Sequence, residues 1–416
     1  MFDVGVVRRL APSEEWFVRS GVYAAVAVTV RGDLNLPALT AAFEVLRQTH
    51  PVLAARLEPG DGGHLLVETA APAAINIYDD NSGSSLSGAS LDSSRSLSRV
   101  HVMRDGQRTR VELLVHHAIA DARHLLALLY RLWSTYTDIV QGIAFDTVRQ
   151  RYPESMEKLL ADRDIYSYGP DQEPPSWLPV DDVAPGYGTQ LETTVTPTVR
   201  WRADVAVTES LIEFGHQHHV TVNGLVSAAL LQGEADVLAV PITEIALGYL
   251  VDLRDRLTPP VEATLGTDVL GWASFTSSSN PDAGLLELAR AISTSLRASI
   301  ADGMLLRAAI QTGPGNMSDA EDVRIPPRNV TVTNWGRIPP LRLPANLEID
   351  DLYAVIYNEL RSPDAAKPQP PLYWITTFSG RLSVQLTVAH PLDVESAQNR
   401  IDILRSRLLT MVGAPN

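Results

Sequence analysis

The chain has 416 residues, too many for one ordinary core, so two domains or one fold built from two similar halves is expected. It is 45% hydrophobic and 20% charged and contains no cysteine, which excludes disulfides, thiolate zinc sites and a thiol nucleophile. The formal net charge of −15 comes with no basic run, so nucleic acid is not expected as a partner.

The first residues, Met1-Phe2-Asp3-Val4-Gly5, lack the basic and apolar regions of a signal peptide. No apolar run approaches the ~18 residues of a membrane span. Val22, Ala24, Val26, Val28 and Val30 alternate and predict a strand over 22–30. Asn35-Leu36-Pro37 reads as a helix cap with proline in the first turn; Leu36, Leu39, Phe43 and Leu46 follow at helical spacing until His50-Pro51. Val52–Leu57 and Leu65–Val67 predict short strands about Gly60-Asp61-Gly62-Gly63. This glycine cluster opens no helix and is not a phosphate cradle. Residues 79–98, rich in Ser, Gly and Asp, predict a mobile surface loop. Val100-His101-Val102 and Val111–Val115 flank Asp105-Gly106 as a hairpin. After Asp121, the stripe Leu125, Leu128, Leu129, Leu132, Tyr136 and Ile139 predicts a long helix ending near Gly142.

Periodicity weakens over 143–190, where Gly169-Pro170, Pro174-Pro175 and Pro185-Gly186 mark an extended connection. The expected division is a first lobe over 1–165, a crossover linker over 166–195 and a second lobe over 196–416. In the second lobe, 196–207 predicts a strand, 208–219 a helix capped by Thr208, and 222–238 another helix. A strand over Ile245–Leu250 runs into Val251-Asp252-Leu253-Arg254, and Leu285, Leu288, Ile292, Leu296 and Ile300 form an amphipathic helix. After an acidic loop over 312–328, the strand Asn329–Asn334 breaks at Trp335-Gly336. Tyr373–Phe378 and Leu382–Val388 make a hairpin about Ser379-Gly380, and 393–412 is a final helix. Strands and helices mixed through both halves, with several hairpins, predict an α/β fold with mixed sheets.

The chemical signal lies in Val111–Asp121. Alternation puts Val111, Leu113, Val115 and His117 on one face and Glu112, Leu114 and His116 on the other. A lone buried histidine is more often a core residue than a catalyst. His117, however, stands at a strand end, beside a second histidine, with a carboxylate four residues on. A neutral imidazole there suits a general base. A metal held by His116, His117, Asp121 and His124 is disfavoured, because the adjacent histidines face opposite ways; no metal is expected. Asp121 stands where an N-cap belongs, and also suits an arginine fork, with Arg254 as the candidate partner. Asn334 reads as a turn residue or as a donor to substrate, and Trp272 as a core residue or as channel lining. His216, His218 and His219 fall late in a helix, where the helix dipole and solvent account for them.

His116-His117-Ala118-Ile119-Ala120-Asp121-Ala122 resembles the HHxxxDG motif of the CoA-dependent acyltransferase superfamily. That group includes chloramphenicol acetyltransferase, plant alcohol acyltransferases and the condensation domains of nonribosomal peptide synthetases. Arg9–Glu15, Thr49–Ala54, Tyr136-Thr137-Asp138, Val251–Arg254 and Asn346–Asp351 extend the likeness along the chain. As a whole it resembles the polyketide-associated acyltransferases typified by phthiocerol dimycocerosyl transferase. The resemblance implies two chloramphenicol-acetyltransferase-like lobes with a tunnel at their interface. It implies His117 as general base and Asp121 as a structural residue paired with Arg254; His116, on the other face of the strand, is expected to support the turn. Thr333-Asn334-Trp335-Gly336 is similar to the family's Ser/Thr-Asn-x-Gly turn, so Asn334, Trp335 and Gly336 are expected substrate contacts, with Trp272 added on its own reading as channel lining. Ala122 replaces the motif glycine, which fits only at negative φ; the plant signature Asp-Phe-Gly-Trp-Gly is absent.

The implied activity is O-acyl transfer from an acyl-CoA or phosphopantetheinyl carrier-protein thioester to a hydroxyl of a polyketide-type product or lipid, with no bound cofactor. A condensation-type enzyme forming amides, and a non-catalytic binding module of the same fold, are the alternatives. A cytoplasmic monomer is expected; the lack of cysteine fits a reducing cytosol.

Overall fold

Side-chain caps start six of the helices. Asn35, Asp121, Ser155, Asp204, Thr221 and Asp393 each accept the backbone N–H three residues on, satisfying a donor that a first helical turn leaves over. The computed structural model describes residues 5–73, 75–79, 91–165, 193–277, 283–301, 305, 328–359, 370–388 and 392–414. The chain begins with β1 (Val6–Arg9), α1 (Pro12–Ser20), β2 (Val22–Gly32), α2 (Leu36–Thr49), β3 (Ala55–Gly60), β4 (Gly63–Glu68), β5 (Ile75–Asp79), β6 (Ser98–Asp105), β7 (Arg108–His116), α3 (Ala122–Gln141) and α4 (Met156–Ala161). It continues with β8 (Thr193–Val195), β9 (Thr198–Arg202), α5 (Val205–His218), α6 (Val222–Leu238), β10 (Ile245–Asp252), β11 (Leu270–Thr276), α7 (Leu285–Ala301), β12 (Arg328–Ile338), β13 (Leu347–Glu359), β14 (Leu372–Phe378), β15 (Arg381–Thr387) and α8 (Val394–Met411).

Two six-stranded sheets dominate, in the orders β5-β6-β7-β2-β13-β8 and β11-β10-β12-β14-β15-β9. Both are mixed: β5 runs parallel to β6, and β12 parallel to β10 and β14, while the other neighbours are antiparallel. Helices α2 and α3 cover the first sheet, where Leu39, Phe43, Leu125, Leu128 and Trp133 pack on Val26, Val28, Leu113 and Val115. The second sheet builds a core with α6, α7 and α8. The architecture is a two-lobed α/β fold with mixed sheets.

The two cores exchange segments across the expected division at 166–195. The first sheet takes β8 from the end of that stretch and β13 from the second half, and Ile338, Leu341 and Phe378 enter its core. In return, Met156, Leu159 and Leu160 of α4 enter the second core. Residues 166–192 lie outside the described residues, as do 80–90 of the expected loop and 312–327 of the expected acidic loop.

Several local expectations are corrected. Pro51–Ala54 is a 3-10 turn ahead of β3, not part of a strand. The helix expected at 208 begins at Val205 and is capped by Asp204; Thr208 lies inside it and accepts from Leu382 N instead. The strand expected to break at Trp335-Gly336 carries on to Ile338, because a bulge between Asn334 and Gly336, with Gly336 at φ 67°, absorbs the irregularity. Among the described residues, no helix is long and apolar enough to cross a membrane.

Candidate active site

β7 ends at His116, and the alternation of its side chains continues into the turn beyond it. Val111, Leu113 and Val115 face the helix-covered core, while Leu114 packs on the opposite face with Tyr23 and Tyr357. His116 follows Leu114's side: its ring meets Tyr23 edge-on at 4.7 Å. Its Nδ1 accepts from Ala118 N at 3.2 Å and its carbonyl from Ile119 N at 3.0 Å, so it braces the turn.

His117 goes to the other side. Its ring lies flat against Phe17 of α1, centroids 4.1 Å apart and planes 7° apart, and its backbone N–H donates to Val22 O at 2.9 Å. The residue is half-buried, and Nδ1 is buried without a hydrogen-bonding side chain. Nε2 is therefore the accessible ring nitrogen. Burial lowers the pKa of His117, against the opposing pull of its own backbone and of Asp121, so the ring is neutral at neutral pH.

Asp121 closes the turn and opens α3. Oδ1 accepts from His124 N at 3.0 Å; Oδ2 accepts from Arg254 Nη1 at 2.6 Å and Val269 N at 2.9 Å. Cap and ion pair are thus served by separate oxygens of one carboxylate. Burial would raise the Asp121 pKa, but Arg254 and these donors outweigh it and hold the carboxyl below its usual range. Arg254, also fully buried, donates further to Asp252 Oδ1 at 3.2 Å and Gly266 O at 2.9 Å. Asp121 N donates to Thr267 O at 2.7 Å, and His124 Nδ1 lies 3.1 Å from Gly266 O. The turn that carries His117 is stitched in this way to the second half of the chain. Ala122 is the first residue of α3 and has no positive φ, so alanine sits there without strain.

The remaining expected residues lie elsewhere. Trp272 of β11 packs over Gly248, where a Cβ would fall 2.0 Å from its ring. Asn334 is exposed; its Oδ1 accepts from Gly336 N at 2.7 Å and its Nδ2 donates to Asn223 at 2.9 Å. Trp335 packs against the first core and meets Trp374 edge-on at 5.3 Å. None of Trp272, Asn334, Trp335 or Gly336 hydrogen-bonds to or stacks on His117. Among the described residues, no three His, Asp or Glu side chains converge as metal ligands.

Residue-by-residue reading of the sequence missed Phe17, Glu14, Thr267 and Asp268. Glu14 accepts from Arg8 Nη1 and Nη2 at 2.7 Å each, from Ala11 N at 2.8 Å and from Thr267 Oγ1 at 2.8 Å. The glutamate three residues after Ala11, the residue that precedes α1, was the available signal. Asp268 is buried with neither oxygen hydrogen-bonded; burial first, and the neighbouring Asp121 next, push its carboxyl well above the usual range.

The comparisons agree with this architecture. Residues 192–387 match the family model described as phthiocerol/phthiodiolone dimycocerosyl transferase C-terminus. The phthiocerol/phthiodiolone dimycocerosyl transferase of Mycobacterium bovis (strain BCG / Pasteur 1173P2) is 31% identical over 436 residues, covering 99% of this chain and 98% of that protein. The structure of polyketide synthase associated protein 5 from Mycobacterium tuberculosis superposes with a TM-score of 0.81 at 29% identity, covering all of both chains. The first condensation domain of the CDA synthetase shares the fold, with a TM-score of 0.69 at 13% identity over 98% of this chain and 96% of that one. The chain belongs to the phthiocerol/phthiodiolone dimycocerosyl transferase family of polyketide-associated acyltransferases, and is an acyltransferase of chloramphenicol-acetyltransferase-like, two-lobed fold.

Proposed function

We propose that the chain is an O-acyltransferase with His117 as general base. It takes an acyl group from an acyl-CoA or phosphopantetheinyl carrier-protein thioester and passes it to a hydroxyl of a polyketide-type product or lipid. The observation that supports this most is the His117 ring: kept neutral by burial, stacked on Phe17, with Nε2 its accessible nitrogen. An alcohol is a weak nucleophile until its proton leaves. Nε2 takes that proton as the hydroxyl oxygen bonds to the thioester carbonyl carbon. The tetrahedral oxyanion collapses, the C–S bond breaks, and the imidazolium returns the proton to the departing sulfur. Ester, free thiol and neutral histidine result. No acyl-enzyme forms, so a chain without cysteine is equipped for the reaction. A tunnel between the lobes, admitting donor and acceptor from opposite mouths, belongs to this reading, with Trp272, Asn334, Trp335 and Gly336 as contacts along it.

The test is acceptor-dependent release of free thiol. His117→Ala is expected to lower turnover by about 10²–10⁴-fold, the usual range for a general base, with an unchanged unfolding midpoint. Near-normal turnover overturns the assignment. The likeness to a condensation domain motivates a second arm: an amine acceptor that outcompetes the alcohol would make this an amide-forming enzyme. The unstrained Ala122 favours a working site over a binding module.

A further inference from the structure

The second sheet has one face on its helices and one toward the first lobe. Leu247, Tyr249, Val330, Val332, Tyr373 and Ile375 point into the helix-covered core, so the residues between them point the other way. That other face touches the first lobe at both sides of the sheet. On β10, Asp252 pairs with Arg123 of α3 at 2.5 Å. On β15, Gln385 Nε2 donates to Ala354 O of β13 at 2.8 Å, and on β9 Arg200 pairs with Asp351 and lies 4.5 Å from the centre of the Tyr353 ring.

β12 runs through the middle of this face, between β10 and β14, and presents Thr331 and Thr333 beside Gly248 and Leu250. Thr376 of β14 and its cross-strand neighbour Ser383 of β15 continue the polar strip. These four side chains are only 7%, 8%, 6% and 6% exposed, and their hydroxyls make no hydrogen bond among the described residues. Buried polar groups are nearly always hydrogen-bonded, so four such hydroxyls on one face point to a partner that bonds along it. Aromatic rings flank the β12 pair. Trp272 lies over Gly248, the neighbour of Thr331, and Trp374, fixed by Nε1 donating to Thr387 at 2.9 Å, is the neighbour of Thr333. The strip opens to solvent at the β11 edge, where Ser274 and Thr276 are exposed. Its other end lies at the motif: Asp252 accepts from Arg254 Nη1, which also holds Asp121. Thr333 stands level with Leu250, about 7 Å along the strand direction from Asp252.

We propose that this hydroxyl-lined strip between two tryptophans seats the acyl acceptor, and that the acceptor is an oxygen-rich molecule with hydroxyl or carbonyl groups spread along it, not a long-chain alkyl alcohol. The inference rests on the reading of the chain as an O-acyltransferase with His117 as base. Hydrocarbon laid on the strip would leave buried hydroxyls unpaired, whereas an oxygenated skeleton satisfies them. A site built to bond a substrate oxygen rejects the analogue that lacks it far more strongly than an apolar slot rejects an extra methylene. The indoles and Leu250 supply walls for the carbon skeleton, and the hydroxyls fix its orientation.

Calorimetric titration of the full-length protein reads acceptor binding without a donor. The probes are erythronolide B, a polyhydroxylated macrolactone, and a dodecanediol. The macrolactone is expected to bind more tightly than the diol by about tenfold or more. Thr331→Val and Thr333→Val keep the branched shape and remove only the hydroxyl. Each should weaken the macrolactone by about threefold to tenfold, the scale of one neutral hydrogen bond, and leave the diol unchanged or tighter. Both variants should keep or raise the urea midpoint, because a methyl replaces an unpaired hydroxyl; a threonine that serves the fold would lower it. Thr333→Ser should retain wild-type binding. If a valine variant fails to melt cooperatively, Thr331→Ala or Thr333→Ala removes the same hydroxyl. The proposal is overturned by a diol that binds as tightly as the macrolactone, by a macrolactone that does not bind, or by valine variants that keep its full affinity. His117→Ala tests the reading beneath: it should bind the macrolactone as the wild type does while thiol release is lost. An active His117→Ala sinks the base assignment, and the titrations still decide the acceptor class.

Discussion

Two histidines away from the proposed chemistry set how the molecule meets acid. His101 and His124 are fully buried, and burial lowers the pKa of each to about 3. Arg99 and Arg110 add to the effect at His101; at His124, Arg254 and His50 add to it and Asp121 opposes it. Both are neutral in the native state, while the unfolded chain protonates them below about pH 6.5. Their sites therefore lose stability as pH falls from about 6.5 toward 3, by about 1.4 kcal/mol per pH unit for each histidine. His101→Phe, which keeps an aromatic ring against Tyr78 and Tyr357, should flatten the decline by that amount per unit in urea titrations between pH 6.5 and 5. An unchanged slope would mean that His101 is charged in the native protein. At this scale the sequence showed what is local. His117 and Asp121 stand four residues apart, and their spacing on a strand end and helix start was readable. Phe17, Thr267 and Val269 reach the same turn from distant parts of the chain, and no periodicity announces that. Arg254 came from the family resemblance and from its place at a strand end.

Between elements, the contact with most at stake is the Asp121–Arg254 pair, which joins the start of α3 to the turn after β10. Both side chains are fully buried, so removing one partner strands a charge. Arg254→Met should cost about 3–5 kcal/mol in chemical denaturation. Adding Asp121→Asn should recover part of that, because the amide still caps α3 and carries no charge. A double variant no more stable than the single one would show that the arginine acts mainly through Gly266 and Asp252. Elements with clean signals, such as α3 between Asp121 and Gly142 or the β6–β7 hairpin about Asp105-Gly106, were legible. β13 was not. Its register slips between Ile349 and Asp351, so Leu347 and Ile349 fall out of phase with Leu352 and Ala354, and a search for strict alternation loses the strand midway.

For the molecule as a whole, β13 is the decisive element. It pairs with β2 from Leu347↔Gly32 to Asn358↔Val22 and so lies in the interior of the first sheet, between β2 and β8. A fragment of residues 1–165 would leave β2 as an open edge and remove Leu347, Leu352 and Phe378 from the first core. Such a fragment should show no cooperative melting transition in differential scanning calorimetry, and co-expression with residues 193–416 should restore one. A fragment that melts sharply by itself would show that the first lobe closes without β13. The sequence, divided at its proline-rich stretch, suggested two lobes following one another along the chain. The swap of β13 one way and α4 the other joins segments too far apart for composition to reveal.

The same swap has a consequence in time. During synthesis, β2 leaves the ribosome more than 300 residues before the strand that completes its sheet, since β2 ends at Gly32 and β13 begins at Leu347. Through most of translation the nascent first lobe carries a bare, valine-rich edge of the kind that recruits other chains. Its protection comes only when the second lobe is largely made. Yield in a foreign host is then governed by whatever shields that edge on the growing chain, as much as by the stability of the finished protein.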